Sequence, residues 1–291
     1  MAAILALAAA AVFALGSVLQ QRAAMTDMSG SPAAILVRLV RHPVWIAGIA
    51  AYAFAYGLQC IALGQGKLIE VQPMLATSIV FALPLGVWLS HQRISRRDVA
   101  AAVVVTAGLG LFLVLSDPAG GKQDATAREW LIAGTALVVA ALALAALARG
   151  RRPSLRAALL GTAAGLVFGL VSGLTKGAVE TFEGDGLGAL LGDWHLYVIL
   201  ALGYLGMTLT QLSLGTGVLP PAVATSSIFN PAVGIVLGLA LFDESIHQDA
   251  ARSIAAGVAL AAMFAGVAVL SLGEPDEEAE PLGAVPEPAE A

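Results

Sequence analysis

The sequence predicts an all-α, polytopic membrane protein whose nine transmembrane helices form an inverted 4+1+4 repeat. Three observations lead there. Of the 291 residues, 58% are hydrophobic and only 12% charged, and the mean hydropathy is +0.86; a soluble domain carries roughly one-quarter charged residues. Nine stretches reach the about 20 apolar residues that cross a bilayer: 2–21, 44–65, 69–90, 98–116, 128–149, 156–179, 194–214, 218–242 and 250–272. The chain also repeats itself. VFALGSVL at 12–19 returns as VFGLVSGL at 167–174, and Tyr52, Tyr56 and Gln59 return as Tyr204, Thr208 and Gln211; Gly86, Leu89 and Ile94 return as Gly238, Leu241 and Ile246. Spans one to four therefore match spans six to nine. Because five spans separate each pair, the two copies enter the membrane in opposite senses. The expected divisions are 1–116 for the first repeat, 117–154 for a connector holding the fifth span, 155–272 for the second repeat and 273–291 for a tail.

The first span lacks the basic n-region of a signal peptide and matches the sixth, so it is expected to stay in the protein. Residues 33–41, AAILVRLVR, are too short to cross and read as an interfacial helix with snorkelling arginines. In the second span Tyr52, Tyr56 and Gln59 stand at i, i+4 and i+7, on one helical face. Cys60 is alone in an apolar run, which excludes an internal disulfide and reads as a small buried hydrophobe. The third span carries Pro73 and Pro84 beside Thr77 and Ser78.

The sixth span holds Gly161, Gly165, Gly169, Gly173 and Gly177 at an unbroken spacing of four. That stripe makes a groove for a second helix, since small residues let backbones approach in lipid. Its repeat partner, the first span, with Ala6, Ala10 and Ala14 at the matching positions, is the expected occupant. Ser172 and Thr175 match Ser17 and Gln20. Lys176 lies near the end of the span with Glu180 one turn on; it either snorkels with that partner or points inward, where it would attract an anionic group or repel cations. The seventh span repeats the polar face as Tyr204, Thr208 and Gln211. In the eighth, PPAVATSSIFNP, Pro231 cannot donate to the carbonyl of Ser227, so a kink or opening is expected there, with Thr225, Ser226, Ser227 and Asn230 beside freed carbonyls.

Ten basic residues fall on one side of this topology and four on the other, a positive-inside bias that puts the N-terminus outside and the C-terminus in the cytoplasm of a cell membrane. Seven of the twenty acidic residues lie after Leu272, in a tail too rich in Pro and Glu to pack. The acidic segment 183–193 reads as a solvated face, and His42, His91, His195 and His247 as interfacial. No HExxH, GxSxG or phosphate-cradling GxxxxGK[ST] occurs. No catalytic residue, metal site or cofactor is therefore expected, and the chain does not read as an enzyme.

FALGSVLQQRAA, WIAGIAAYAF, EVQPMLATSIVFALPLGVWLSHQRIS and above all LPPAVATSSIFNPAVGIVLGLALFDESI, which ends just past Glu244, resemble the drug/metabolite transporter superfamily. The nine spans, the outside N-terminus and the LQQRAA ending look most like its NIPA-type magnesium transporter branch and nearby bacterial membrane proteins rich in alanine, valine and leucine. The resemblance covers residues 1–272 and implies a secondary transporter. The NIPA-type pattern has an acidic residue and an asparagine where this chain has Tyr56 and Gln59; small multidrug exporters have a glutamate in the first span, and this chain has none there. The expected function is alternating-access transport of a small polar or amphipathic solute. Ser17, Gln20, Tyr52, Tyr56, Gln59, Ser172, Thr175, Tyr204, Thr208, Gln211, Thr225, Ser226 and Asn230 are expected to line its path. The alternatives are divalent-cation transport and a non-transporting membrane scaffold. Partners are the solute or ion and the lipid bilayer, with a homodimer left open; nucleic acid is not among them.

Overall fold

The computed structural model describes residues 1–25, 42–90, 95–117, 119–122, 124–216, 219–246 and 249–271. Its helices are α1 (Ala2–Met25), α2 (Pro43–Gln65), α3 (Leu68–Ala76), α4 (Ser78–Ser90), α5 (Arg96–Ser116), α6 (Ala127–Leu147), α7 (Pro153–Gly192), α8 (Trp194–Leu214), α9 (Leu219–Leu241) and α10 (Ala250–Ser271). Two short strands, β1 (Ala119–Gly120) and β2 (Glu244–Ser245), complete it. Among the described residues nine helical segments are long and apolar enough to cross a membrane, α3 and α4 together making the third. The expected helix at 33–41 and the tail at 273–291 lie outside the described residues.

Local chemistry fixes five of the ten described helix starts. Proline occupies the first position of α2 and of α7, where its missing N–H is no loss. Ser95 with Asp98 and Thr126 with Glu129 form reciprocal capping boxes at α5 and α6. The Asp193 side chain accepts from the His195 backbone N–H to start α8. The start of α3 differs, because Lys67 precedes it and provides no side-chain cap. Its acceptor comes from far along the chain.

The third span breaks at Thr77, whose N–H and hydroxyl both bond to the Met74 carbonyl and tighten that turn. Pro231, by contrast, sits inside an unbroken α9, so the expected opening of the eighth span does not occur. Because Pro231 has no N–H, the Ser227 carbonyl goes without its usual donor. The sixth span also runs past its expected end at 179, as far as a kink at Gly186 (φ 79°, ψ −173°), a backbone conformation that suits glycine, beyond which a second helical piece runs on to Gly192.

α7 is the hub of the bundle. In its apolar stretch 72% of residues are buried, against 11% for the fifth span on α6, which lies at the rim. The glycine stripe is the reason, but its occupant is α9 and not the first span. A Cβ at Gly165 would stand 2.8 Å from Phe229 Cβ and 3.1 Å from the Asn230 nitrogen; at Gly169 it would stand 2.5 Å from Val233 Cβ. Gly173 receives Leu237. α1 packs instead on α2, α3 and α4, with Ala6, Ala10 and Ala14 buried. The small-residue ridges of α1 and α7 therefore each serve helices from their own part of the chain. Further contacts join α2 to α7, α3 to α9 and α5 to α10.

Candidate functional site

Polar side chains gather where α1, α2, α3, α7 and α9 meet. The hydroxyl of Ser17, an exposed residue, lies 2.7 Å from the Tyr52 hydroxyl, and in the part-buried region Tyr56 Oη lies 2.8 Å from Thr175 Oγ1. These two pairs tie α2 to α1 on one side and to α7 on the other. Gln59, one turn beyond Tyr56, is buried. Gln20 packs its Cγ where Gly48 leaves room. Ser172 and Thr175 are buried, each hydroxyl bonding back to the carbonyl four residues earlier.

The second expected polar face lies elsewhere. Tyr204 is 78% exposed, Thr208 is exposed and bonds to the Tyr204 carbonyl, and Gln211 is exposed. α8 packs through Gly206, Leu209 and Ser213, with the Phe168 ring on Gly206 and Ser213 Oγ donating to the Ala157 carbonyl. In burial, Ala55 and Gln59 of α2 correspond to Leu209 and Ser213 of α8, two residues out of step with the identities. Two residues turn a helix by about 200°. That slip carries Tyr204, Thr208 and Gln211 to the outside, away from Tyr52, Tyr56 and Gln59.

On α9, Thr225 Oγ1 donates to the Pro221 carbonyl and lies against Gly161, and Ser226 Oγ donates to the Val223 carbonyl. Asn230 keeps its Oδ1 buried without a hydrogen-bond partner in the protein. Facing this helix is a residue that sequence reasoning missed. Gln72 of α3 is 2% exposed, its Nε2 is likewise unbonded, and its side chain fills the space at Gly234, one turn along α9 from Asn230. The signal available in the sequence was Gln72 itself, an amide inside an apolar span adjoining Pro73.

One end of this region is closed by charge. Lys176 points inward, and its partner is Glu244, not Glu180; Nζ stands 2.5 Å from Glu244 Oε1, with the two side chains almost wholly buried. The ammonium also lies 4.8 Å from the centre of the Phe242 ring. Glu244 has a second role, because its carboxylate accepts from the Leu68 and Ile69 N–H groups at 2.9 and 3.0 Å. It is the missing cap of α3, an anion at a helix N-terminus, and Gly238 leaves the room its carboxylate occupies. β2, which contains Glu244, pairs antiparallel with β1. Lys122 braces this plate, its N–H bonding to the Phe242 carbonyl and its ammonium to Glu129 at 3.0 Å, with Asp243 at 3.7 Å. The hydrogen bond to Glu129 is the main reason that the Lys122 pKa is raised.

Beside this plate, at the start of α8, His195 is buried. Its Nδ1 lies 2.8 Å from Asp193 Oδ1 and its Nε2 3.4 Å from Asp124 Oδ2. Trp130 Nε1 donates to Asp124 at 2.9 Å, and Gly177 leaves the space in which Asp124 and His195 meet. Burial pushes the Asp193 carboxyl up, but bonds from the His195 N–H and imidazole outweigh it and hold the pKa below its ordinary value.

Apolar helices of this number and length, among the described residues, define a multi-pass membrane protein. The chain belongs to the family of the uncharacterized protein Cgl0250/cg0304 of Corynebacterium glutamicum, with which it is 31% identical over 276 residues, 93% of this chain and 94% of that protein. No family model and no solved structure matches it.

Proposed function

We propose that this chain is a secondary transporter of the drug/metabolite type, moving a small polar or amphipathic solute by alternating access between two inverted four-helix halves. The observation that carries the reading is a pair of amides on facing helices, buried Gln72 and half-buried Asn230, each with one buried polar atom unbonded. Gln72 leaves a donor and Asn230 an acceptor without a partner, and each such group costs about 1–3 kcal/mol when buried. A solute bonding both would offset that cost, and Tyr56, Thr175 and Gln59 supply further uncharged contacts. The packing supports the inverted arrangement: α1 lies on α2 as α7 lies on α8, and α1 on the third span as α7 on α9. Solute sites of such transporters lie where the repeats meet. Lys176 and Glu244 serve as the gate on one side, since their bond joins α7 to the α9–α10 connection and to the start of α3. The basic end is cytoplasmic in this reading, with Met1 outside a cell membrane.

The test is solute uptake by the purified chain in proteoliposomes, over a panel of amino acids, amines, nucleosides and sugars, with Mg2+ entry followed in parallel. Saturable uptake of a panel member is expected. Gln72→Leu and Asn230→Leu should each lower it at least about tenfold while leaving thermal stability equal or higher, because each removes an unbonded polar atom. Gln211→Leu, on the outer face, should leave it unchanged. Mg2+ entry without solute uptake would replace this reading with cation transport, and no flux of any kind would leave the scaffold.

A further inference from the structure

Away from that path, α6, α7 and α8 form a groove on the outside of the bundle. α6 and α8 both pack along α7 and hardly meet each other, so α7 is the floor and the other two are the walls. Two separate clefts of ≈ 280 Å³ each lie along it, with Ala141, Ala164, Val167 and Leu209 packed together between them. One lies toward the Glu244 end, between Val138, Leu170 and Leu202. The other lies at the opposite end, over Ala145, Leu160 and Leu212, and is flanked by Arg149 and Arg156.

We propose that the cleft beside the arginines binds one anionic phospholipid, with its phosphate on Arg149 and Arg156 and the first part of an acyl chain over Ala145, Leu160 and Leu212. The lining is largely apolar apart from the two guanidinium groups. Both arginines are exposed and neither forms an ion pair among the described residues. A planar guanidinium fork matches phosphate oxygens in two-pronged fashion. Arg151 and Arg152 add positive charge in the same turn, and α7 begins there without a side-chain cap, leaving its first N–H groups available. A zwitterionic lipid brings the same tails but sets its own cation beside the phosphate, so it binds more weakly.

The test is native mass spectrometry of the full chain, delipidated in detergent and titrated with dioleoylphosphatidylglycerol or dioleoylphosphatidylcholine. One phosphatidylglycerol should bind about tenfold more tightly than phosphatidylcholine. The double variant Arg149→Gln/Arg156→Gln should remove that preference, and Ala145→Trp, which fills the groove without touching charge, should weaken both lipids. Arg96→Gln/Arg97→Gln, exposed on α5 at the same end, should change nothing. Equal binding of the two lipids to the native chain would overturn the proposal. So would undiminished phosphatidylglycerol binding in either groove variant, an equal loss in the α5 variant, or displacement by excess inorganic phosphate, which would mark a phosphate site without a tail.

Discussion

Lys176 and Glu244 are each destabilising when buried alone, and the bond between them offsets part of that cost. Removing one partner strands the other in a dry interior, so Lys176→Met should lower stability by about 3–5 kcal/mol. Replacing both, as Lys176→Met/Glu244→Gln, should cost less than the two single changes combined, because no charge is then stranded and glutamine keeps an acceptor for the α3 N–H groups. Thermal unfolding of the four proteins in detergent measures this, and strictly additive losses would show that the two side chains do not depend on each other. At this scale the sequence was legible for the burial of Gln59 and Thr175 and for the half-buried Tyr56 that bonds to Thr175, but not for Ser17, which is exposed. It was not legible for the Lys176 partner. A carboxylate four residues on is the nearest candidate in sequence, whereas the actual one is 68 residues away and arrives through packing.

At the scale of helices, close approach of α7 and α9 depends on the absence of side chains along one stripe. A Cβ at Gly169 would lie 2.7 Å from the Asn230 carbonyl oxygen, part of a backbone that cannot rotate away. Gly169→Ala should therefore destabilise the fold by about 1–3 kcal/mol, the usual effect of overpacking. Gly57, with nothing within 4 Å of its added Cβ, provides the contrast: Gly57→Ala should be neutral or stabilising by up to about 1 kcal/mol. Melting temperatures of the two variants in one detergent compare them directly, and equal losses would deny the stripe its packing role. The spacing of the glycines announced the groove, but nothing local says which helix enters it. The polar face of α8 was misplaced for a related reason. Identical residues set the match between copies, while packing on α7 sets the rotation, and the two differ by two residues.

At the scale of the whole molecule, the two halves of the bundle are joined at the basic end by a short link between α6 and α7. Gly150, exposed with a φ of 69°, marks the turn there, with nothing near its Cβ position. Cutting the chain after Gly150 and expressing 1–150 and 151–291 together should yield two pieces that copurify, held by the contacts of α2 and α6 with α7, α3 with α9 and α5 with α10. Affinity purification through a tag on either piece checks this, and recovery of one piece alone would show that the covalent link is needed. The helical class and the number of spans could be read from composition and length alone, because a bilayer imposes both. The remote capping of α3 has a further consequence for biogenesis. The segment that begins at Leu68 leaves the ribosome some 175 residues before the carboxylate that satisfies its first amides. At about 5–20 residues per second this is a delay of about 9–35 s, during which the nascent first half waits in the membrane with an unfinished helix end, open to chaperones and membrane proteases until translation passes Glu244.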